Sequence, residues 1–114
     1  MWIPLTFECA AGSNPFYVPV PVPCKLTAAR YVCDANQAGT RTCVIAKTGG
    51  NTIISGNVSA TAGTLTNGTV STTSAYANQA MAITDTLTIT IDFTTGSAGT
   101  VVMWLELDEF KLLH

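Results

Sequence analysis

The sequence predicts an all-β protein, a single antiparallel β-sandwich or jelly roll of about eight strands. Three observations predict it. Thr86-Leu87-Thr88-Ile89-Thr90-Ile91-Asp92-Phe93 alternates polar and apolar residues without a fault, the period of a strand with one face on a core and the other in water. Beyond Gly96-Ser97-Ala98-Gly99, the segment Thr100 to Leu107 carries Val101, Met103, Leu105 and Leu107 on one parity. Elsewhere, short apolar runs recur between Gly, Pro and Asn turn residues, and no stretch has a dependable helical period.

Taken in order, Leu5-Thr6-Phe7 is expected to pair as an edge strand or to extend as an arm. Pro15-Phe16-Tyr17-Val18-Pro19-Val20-Pro21-Val22-Pro23 follows. Each proline deletes a ladder donor, so the segment must be extended, as polyproline II or as an edge strand whose valines face one way. Alternating valines favour burial in the same protein over capture by a proline-binding domain. Lys25 to Asp34 and Thr40 to Lys47 then read as a hairpin around Asn36-Gln37-Ala38-Gly39. Gly49-Gly50, tolerant of positive φ, turns the chain into a strand at Thr52-Ile53-Ile54-Ser55. From Gly56 to Ala82 the anchors thin to Val58, Leu65, Val70, Tyr76 and Met81, with one or two strands expected near Gly63 to Thr72. The two last runs, joined by Gly96 to Gly99, read as a further antiparallel hairpin.

At 114 residues the chain is expected to form one domain spanning 1–114, with short apolar N- and C-terminal tails. It is 47% hydrophobic and 11% charged, against an ordinary charged share of about 25%. Charge usually keeps small domains apart, so this surface predicts a homo-oligomer. The net charge of −2, with Lys25, Arg30, Arg41, Lys47 and Lys111 scattered, argues against a nucleic-acid partner. No apolar run approaches the about 20 residues of a spanning helix, so no membrane partner is expected. Met1-Trp2-Ile3-Pro4-Leu5 lacks a basic region and a sustained apolar stretch, which predicts synthesis in the cytoplasm without a signal peptide.

The residue types of catalysis are sparse. His114 is the sole histidine, and no G-x-S-x-G elbow, P-loop, dinucleotide fingerprint or calcium loop is present. A carboxylate pair could be drawn from Asp34, Asp85, Asp92, Glu106 or Asp108, but Asp92 and Asp108 fall on the outward parity of their strands. The expectation is a non-enzyme without a cofactor. Cys9, Cys24, Cys33 and Cys43 lack C-x-x-C spacing, so a zinc site has little support. The expected hairpin sets Cys33 roughly opposite Cys43. Direct cross-strand partners hold their Cβ atoms about 4.5–5.5 Å apart, wider than a disulfide usually spans. Buried free thiols acting as small hydrophobes are the preferred reading. Trp2, Tyr17, Tyr31, Tyr76 and Trp104 could stack on sugar rings if several shared an exposed face. Trp104, on the parity opposite Met103 and Leu105, faces outward or is covered by another sheet or subunit. The sequons Asn57-Val58-Ser59 and Asn67-Gly68-Thr69 are taken as chance matches.

The order of parts resembles the small β-sandwich proteins of tailed-bacteriophage virions. The likeness runs through Phe16-Tyr17-Val18-Pro19-Val20-Pro21, Cys24-Lys25-Leu26-Thr27-Ala28-Ala29-Arg30-Tyr31-Val32, a hairpin, and the Ala62-Gly63-Thr64-Leu65-Thr66 loop. It continues in Ile83-Thr84-Asp85-Thr86-Leu87-Thr88-Ile89, where such proteins often open a strand with Ala-Gly-Asp, and in the final strand Thr100 to Leu107. The resemblance implies a capsid decoration, or cement, protein on the virion surface, made in the host cytoplasm and partnered by the major capsid protein or other virion proteins. A receptor- or glycan-binding fibre module is the alternative. Large apolar residues at the chain ends and on the outward parity supply the expected interface: Trp2, Ile3, Leu5, Trp104, Phe110, Leu112 and Leu113. Left in water, each forfeits about 1.5–3 kcal/mol of available burial. At least one end is therefore expected to pack on a neighbouring subunit or shell, unless it folds back on its own sandwich.

Overall fold

Strands with one apolar face each must turn those faces toward one another, and here they do so in two layers. The computed structural model describes residues 1–36, 41–71, 80–93 and 98–109. In chain order the strands are β1 Trp2–Cys9, β2 Gly12–Pro19, β3 Cys24–Cys33, β4 Arg41–Lys47, β5 Thr52–Val58, β6 Thr66–Asn67, β7 Thr69–Val70, β8 Ala80–Met81, β9 Thr86–Phe93 and β10 Gly99–Glu109. No helix occurs among the described residues. Sheet A has the order β1-β10-β3-β6, with β8 also on β3, and sheet B the order β2-β9-β4-β5-β7. Every pairing is antiparallel. The pairs are also nested: β1 with β10, β2 with β9, β3 with β8 and β4 with β5. That is one long ribbon rolled on itself until β10 meets β3 and β9 meets β4.

Two expected hairpins are corrected by this topology. β3 and β4 lie in different sheets, and so do β9 and β10. A period-two pattern states which face is buried. It is met equally by a neighbour at the strand's side or by one in the facing sheet, and here the successive strands lie in different sheets each time. Cys33 consequently stands beside Val101, and Cys43 lies between Gly56 and Ile91, so the two are not cross-strand partners. The turn residues Gln37 to Gly39 and Gly96 to Ser97, like Tyr76, lie outside the described residues. The true hairpin is β4–β5, where Gly49 takes a φ of 78° that an L side chain rarely adopts.

The N-terminus is a second correction. Met1 to Leu5 is not a tail, because Trp2–Cys9 forms the edge strand β1 along all of Gly99 to Glu106. The Met1 ammonium donates to the Leu107 carbonyl at 2.9 Å, and the Leu107 N–H donates to the Met1 carbonyl at 2.7 Å. Ile3 and Leu5 turn inward and pack on the core. Phe110 to His114 lie outside the described residues. The proline-rich segment is an edge as expected: β2 borders sheet B, Val20 is buried, and Val18 and Val22 pack against the core. Pro4 on β1 and Pro15 and Pro19 on β2 blunt both edges against strand addition.

Bulges account for the breaks in alternation. Ile45 pairs Ile54 while Ala46 pairs Thr52, so Ile53 is the additional residue and both isoleucines are buried. Thr27 is the corresponding residue on β3, between Ala28 opposite Glu106 and Leu26 opposite Leu107. The core that results joins Leu26, Tyr31, Ile45, Ile53 and Ile54 to Leu87, Ile89, Ile91 and Phe93 of β9 and Val101, Met103, Leu105 and Leu107 of β10. Ile89, fully buried between β2 and β4, is expected to lose about 2–5 kcal/mol on Ile89→Ala. Thr88→Ser and Thr90→Ser, on the outward parity, should cost far less by urea unfolding. Equal losses on both parities would contradict the placement of β9.

Candidate functional site

The outward residues of sheet A form the most distinctive surface of the molecule. Register aligns Trp2 with Glu106, and Glu106 with Ala28. The next row is Pro4, Trp104, Arg30 and Asn67, and the next Thr6, Val102 and Val32. Trp104 is 45% exposed, Val102 37% and Leu65 55%. Trp2, Arg30, Leu65 and Trp104 line a cleft of about 440 Å³. The Arg30 guanidinium lies 4.3 Å from the centroid of the Trp2 ring, a cation–π stack. The Glu106 carboxylate is turned to β3, where Thr27 donates to Oε1 at 2.8 Å through the bulge.

Each element contributes for a local reason. Trp104 and Val102 face outward because Val101, Met103 and Leu105 take the inward parity of β10. Arg30 faces outward because Ala29 and Tyr31 are buried. Tyr31 reaches across to sheet B, where a Cβ on Gly56 would run into its hydroxyl and one on Gly68 would run into Ile54. Gly68, whose N–H donates to the Ala29 carbonyl at 2.9 Å, is the corner at which the chain leaves sheet A at β6 and joins sheet B at β7. That corner carries Leu65 and Asn67 to the rim of the cleft.

The opposite face is plain. The outward rows of sheet B are Ser13-Asp92-Thr42-Asn57, Pro15-Thr90-Val44-Ser55 and Tyr17-Thr88-Ala46-Thr52. Asp92 is their one charge, and Tyr17, 64% exposed, their one large side chain.

Of the expected interface residues, the structure brings Trp2 and Trp104 together and commits Ile3 and Leu5 to the core. Arg30 and Leu65 were not among them. The signal for Arg30 was its place between two inward residues, but the neighbours of β3 had to be known to use it. The candidate carboxylates scatter. Asp34 Oδ1 accepts from Thr100 N–H at 2.9 Å and ties the end of β3 to the start of β10, and Asp85 Oδ2 accepts from Ala82 N–H at 2.7 Å and holds the turn before β9. Asp92 stands on the outer face of sheet B, Glu106 on that of sheet A, and Asp108 is exposed.

Arg41 and the thiols occupy the interior. Arg41 is buried, with Nη2 donating to the carbonyls of Ala35 at 2.7 Å and Ala60 at 3.3 Å and the guanidinium 5.2 Å from the Phe93 ring. All four cysteines are free and buried. Among the described residues, no group of three or more His, Cys, Asp or Glu side chains could hold a metal ion. Burial, with Cys33 nearby, pushes the Cys9 thiol up to about 11. Burial, with Cys9 nearby, pushes Cys43 up to about 12. Cys24 is raised by burial and by Glu109, and Tyr31 is pushed up to about 12 by burial and by Cys43.

No protein-family model matches this chain, and no curated protein matches it. A solved structure that is similar, the infectious bursal disease virus Gx strain, aligns with a TM-score of 0.41 and 18% sequence identity. The alignment covers 94% of this chain and 32% of that one, so this chain spans about a third of its length.

The raised thiols make a prediction about alkaline stability. A thiol whose pKa rises on folding supports the fold fully below its unfolded value and withdraws that support as the pH climbs through the folded value. With Cys9 raised from 9.0 to about 11 and Cys43 from 9.0 to about 12, stability should hold near neutrality and fall between about pH 9 and pH 12. Cys43→Ala should flatten that fall, measured as urea midpoints across the range. Native thiols should also resist iodoacetamide until the protein unfolds.

Proposed function

We propose that this chain is a structural protein of virions, a capsid decoration protein that assembles as a homotrimer on the particle surface. The supporting observation is the outer face of sheet B. Three rows of Thr, Ser, Ala, Val, Pro and Asn with a single carboxylate present a broad surface that little charge protects from association. The long edge strands supply the contact less readily, since β1 and β2 both carry proline. The nested strand order agrees with a jelly roll, an architecture used by viral capsid domains and also by lectins, so the fold admits the role without assigning it. The resemblance of the chain's segment order to tailed-phage virion sandwiches supplies the context, with the major capsid protein as partner.

A second reading, a glycan-binding fibre module, has its own observation: two tryptophans and an arginine share one exposed cleft. The two readings use opposite faces and do not compete for the same residues.

Sedimentation equilibrium at micromolar concentration tests the assembly. A trimer is expected, and Val44→Lys or Thr90→Lys at the centre of the face should give monomers with unchanged circular dichroism. A wild-type monomer, or a lysine variant that still forms trimers, would remove sheet B's face from the mechanism.

A further inference from the structure

We propose that the cleft between Trp2 and Trp104 binds an acidic glycan, with a sugar ring on indole and its carboxylate on Arg30. This rests on the glycan-binding reading of the cleft, which it makes specific, and is independent of the assembly reading. The argument begins with Arg30. Its guanidinium stacks on Trp2 at 4.3 Å from the ring centroid, and no described residue pairs it in an ion pair or hydrogen bond. A cation–π contact does not use up the guanidinium N–H groups, which can donate two parallel hydrogen bonds to a carboxylate. Glu106, the nearest acid by register on the same face, turns its carboxylate to Thr27 Oγ1 at 2.8 Å and forms no ion pair with Arg30.

The surroundings of that cation select the rest of the ligand. Trp104, 45% exposed and in register with Arg30 on the adjacent strand, offers an indole face beside the fork. Leu65 closes another side of the cleft. Flat indoles take the C–H faces of a pyranose ring, while a small anion such as acetate would leave them in water. Asn67, next to Arg30 across β3 and β6 and exposed, brings an amide that both donates to and accepts from hydroxyls. The cleft volume of about 440 Å³ lies in the range of small-ligand sites. Three of its four lining residues stand on paired strands, so the groups are held in place before any ligand arrives.

The chain itself provides the readout. It has two tryptophans, and both line the cleft, so all indole emission reports on this site. The probes are 3′-sialyllactose and a glucuronate-containing disaccharide, with lactose and sodium acetate as neutral-sugar and bare-anion controls, each at millimolar concentration. A saturable change in emission with at least one acidic sugar is expected, with lactose and acetate weaker by about tenfold or more. Arg30→Gln should erase the preference for acid over lactose, Arg30→Lys should keep part of it, and Trp104→Ala should abolish sugar binding. Both positions are outward, and unchanged circular dichroism and melting temperature would exclude unfolding as the cause. No saturable response to either acidic sugar, or one matched by lactose or by acetate, would overturn the proposal. So would emission that shifts with protein concentration and not with sugar, which would assign the cleft to a second copy of the chain. Failure here would leave sheet B's assembly untouched, because Val44 and Thr90 lie on the other face.

Discussion

The joint burial of β9 and β10 in one core is the constraint from which the rest of the structure follows. These strands are neighbours in sequence, yet each is an inner strand of a different sheet. Leu87, Ile89, Ile91 and Phe93 face one way, Val101, Met103, Leu105 and Leu107 the other, and all are essentially excluded from water. At about 1.5–3 kcal/mol for each large side chain, this paired surface outweighs any single hydrogen bond in the molecule. With both strands committed, β1 and β3 must flank β10, and β2 and β4 must flank β9. The outward residues of four strands are thereby set in fixed rows.

Closing the sandwich requires devices at its sides. On one side the chain turns between β1 and β2 at Gly12, with a φ of 88°, and Asn14 accepts from Ala10 N–H at 2.9 Å while donating to the Ile91 carbonyl at 3.1 Å. Phe7 and Phe16 stack across that edge, centroids 4.5 Å apart. On the other, Gly68 passes the chain from sheet A to sheet B beneath Tyr31. Buried polar atoms mark the cost of these fits. Tyr31 Oη and Arg41 Nε and Nη1 find no hydrogen-bond partner among the described residues, and such groups each lose solvation that nothing returns. Arg41 offsets part of this through two carbonyls and the Phe93 ring.

Parity was legible in the sequence, and pairing was not. The alternation of Thr86 to Phe93 stated which side chains enter the core, and the valines among the prolines marked an edge. The same alternation could not distinguish a hairpin from a crossing between sheets, since Phe93 and Val101 are equally buried either way. Bulges at Ile53 and Thr27 shift parity within a strand, and nothing local distinguishes two adjacent isoleucines in a bulge from a short apolar run. The candidate cleft suffered most from this. Trp104 declared itself as outward, but Trp2 read as part of a tail, and Arg30 as one of several scattered cations. Their meeting depends on β1, β10 and β3 lying side by side, a long-range fact.

The two outer faces then differ by a physical logic that the core does not dictate. Inward positions, Arg41 apart, are apolar, whereas outward positions are free to vary, so what they hold reflects what they meet. Sheet B presents short, mostly uncharged side chains, which lose little rotamer entropy when a flat partner covers them. Sheet A presents two indoles and a guanidinium, groups with high energy per contact and strong geometric demands. A surface meant only for water would need neither. A broad, weakly featured face suits repeated contact with like surfaces, while a narrow cleft with one cation suits a ligand of defined shape and charge. Because the sheets lie back to back across one core, a single small domain presents both faces at once, pointing in opposite directions.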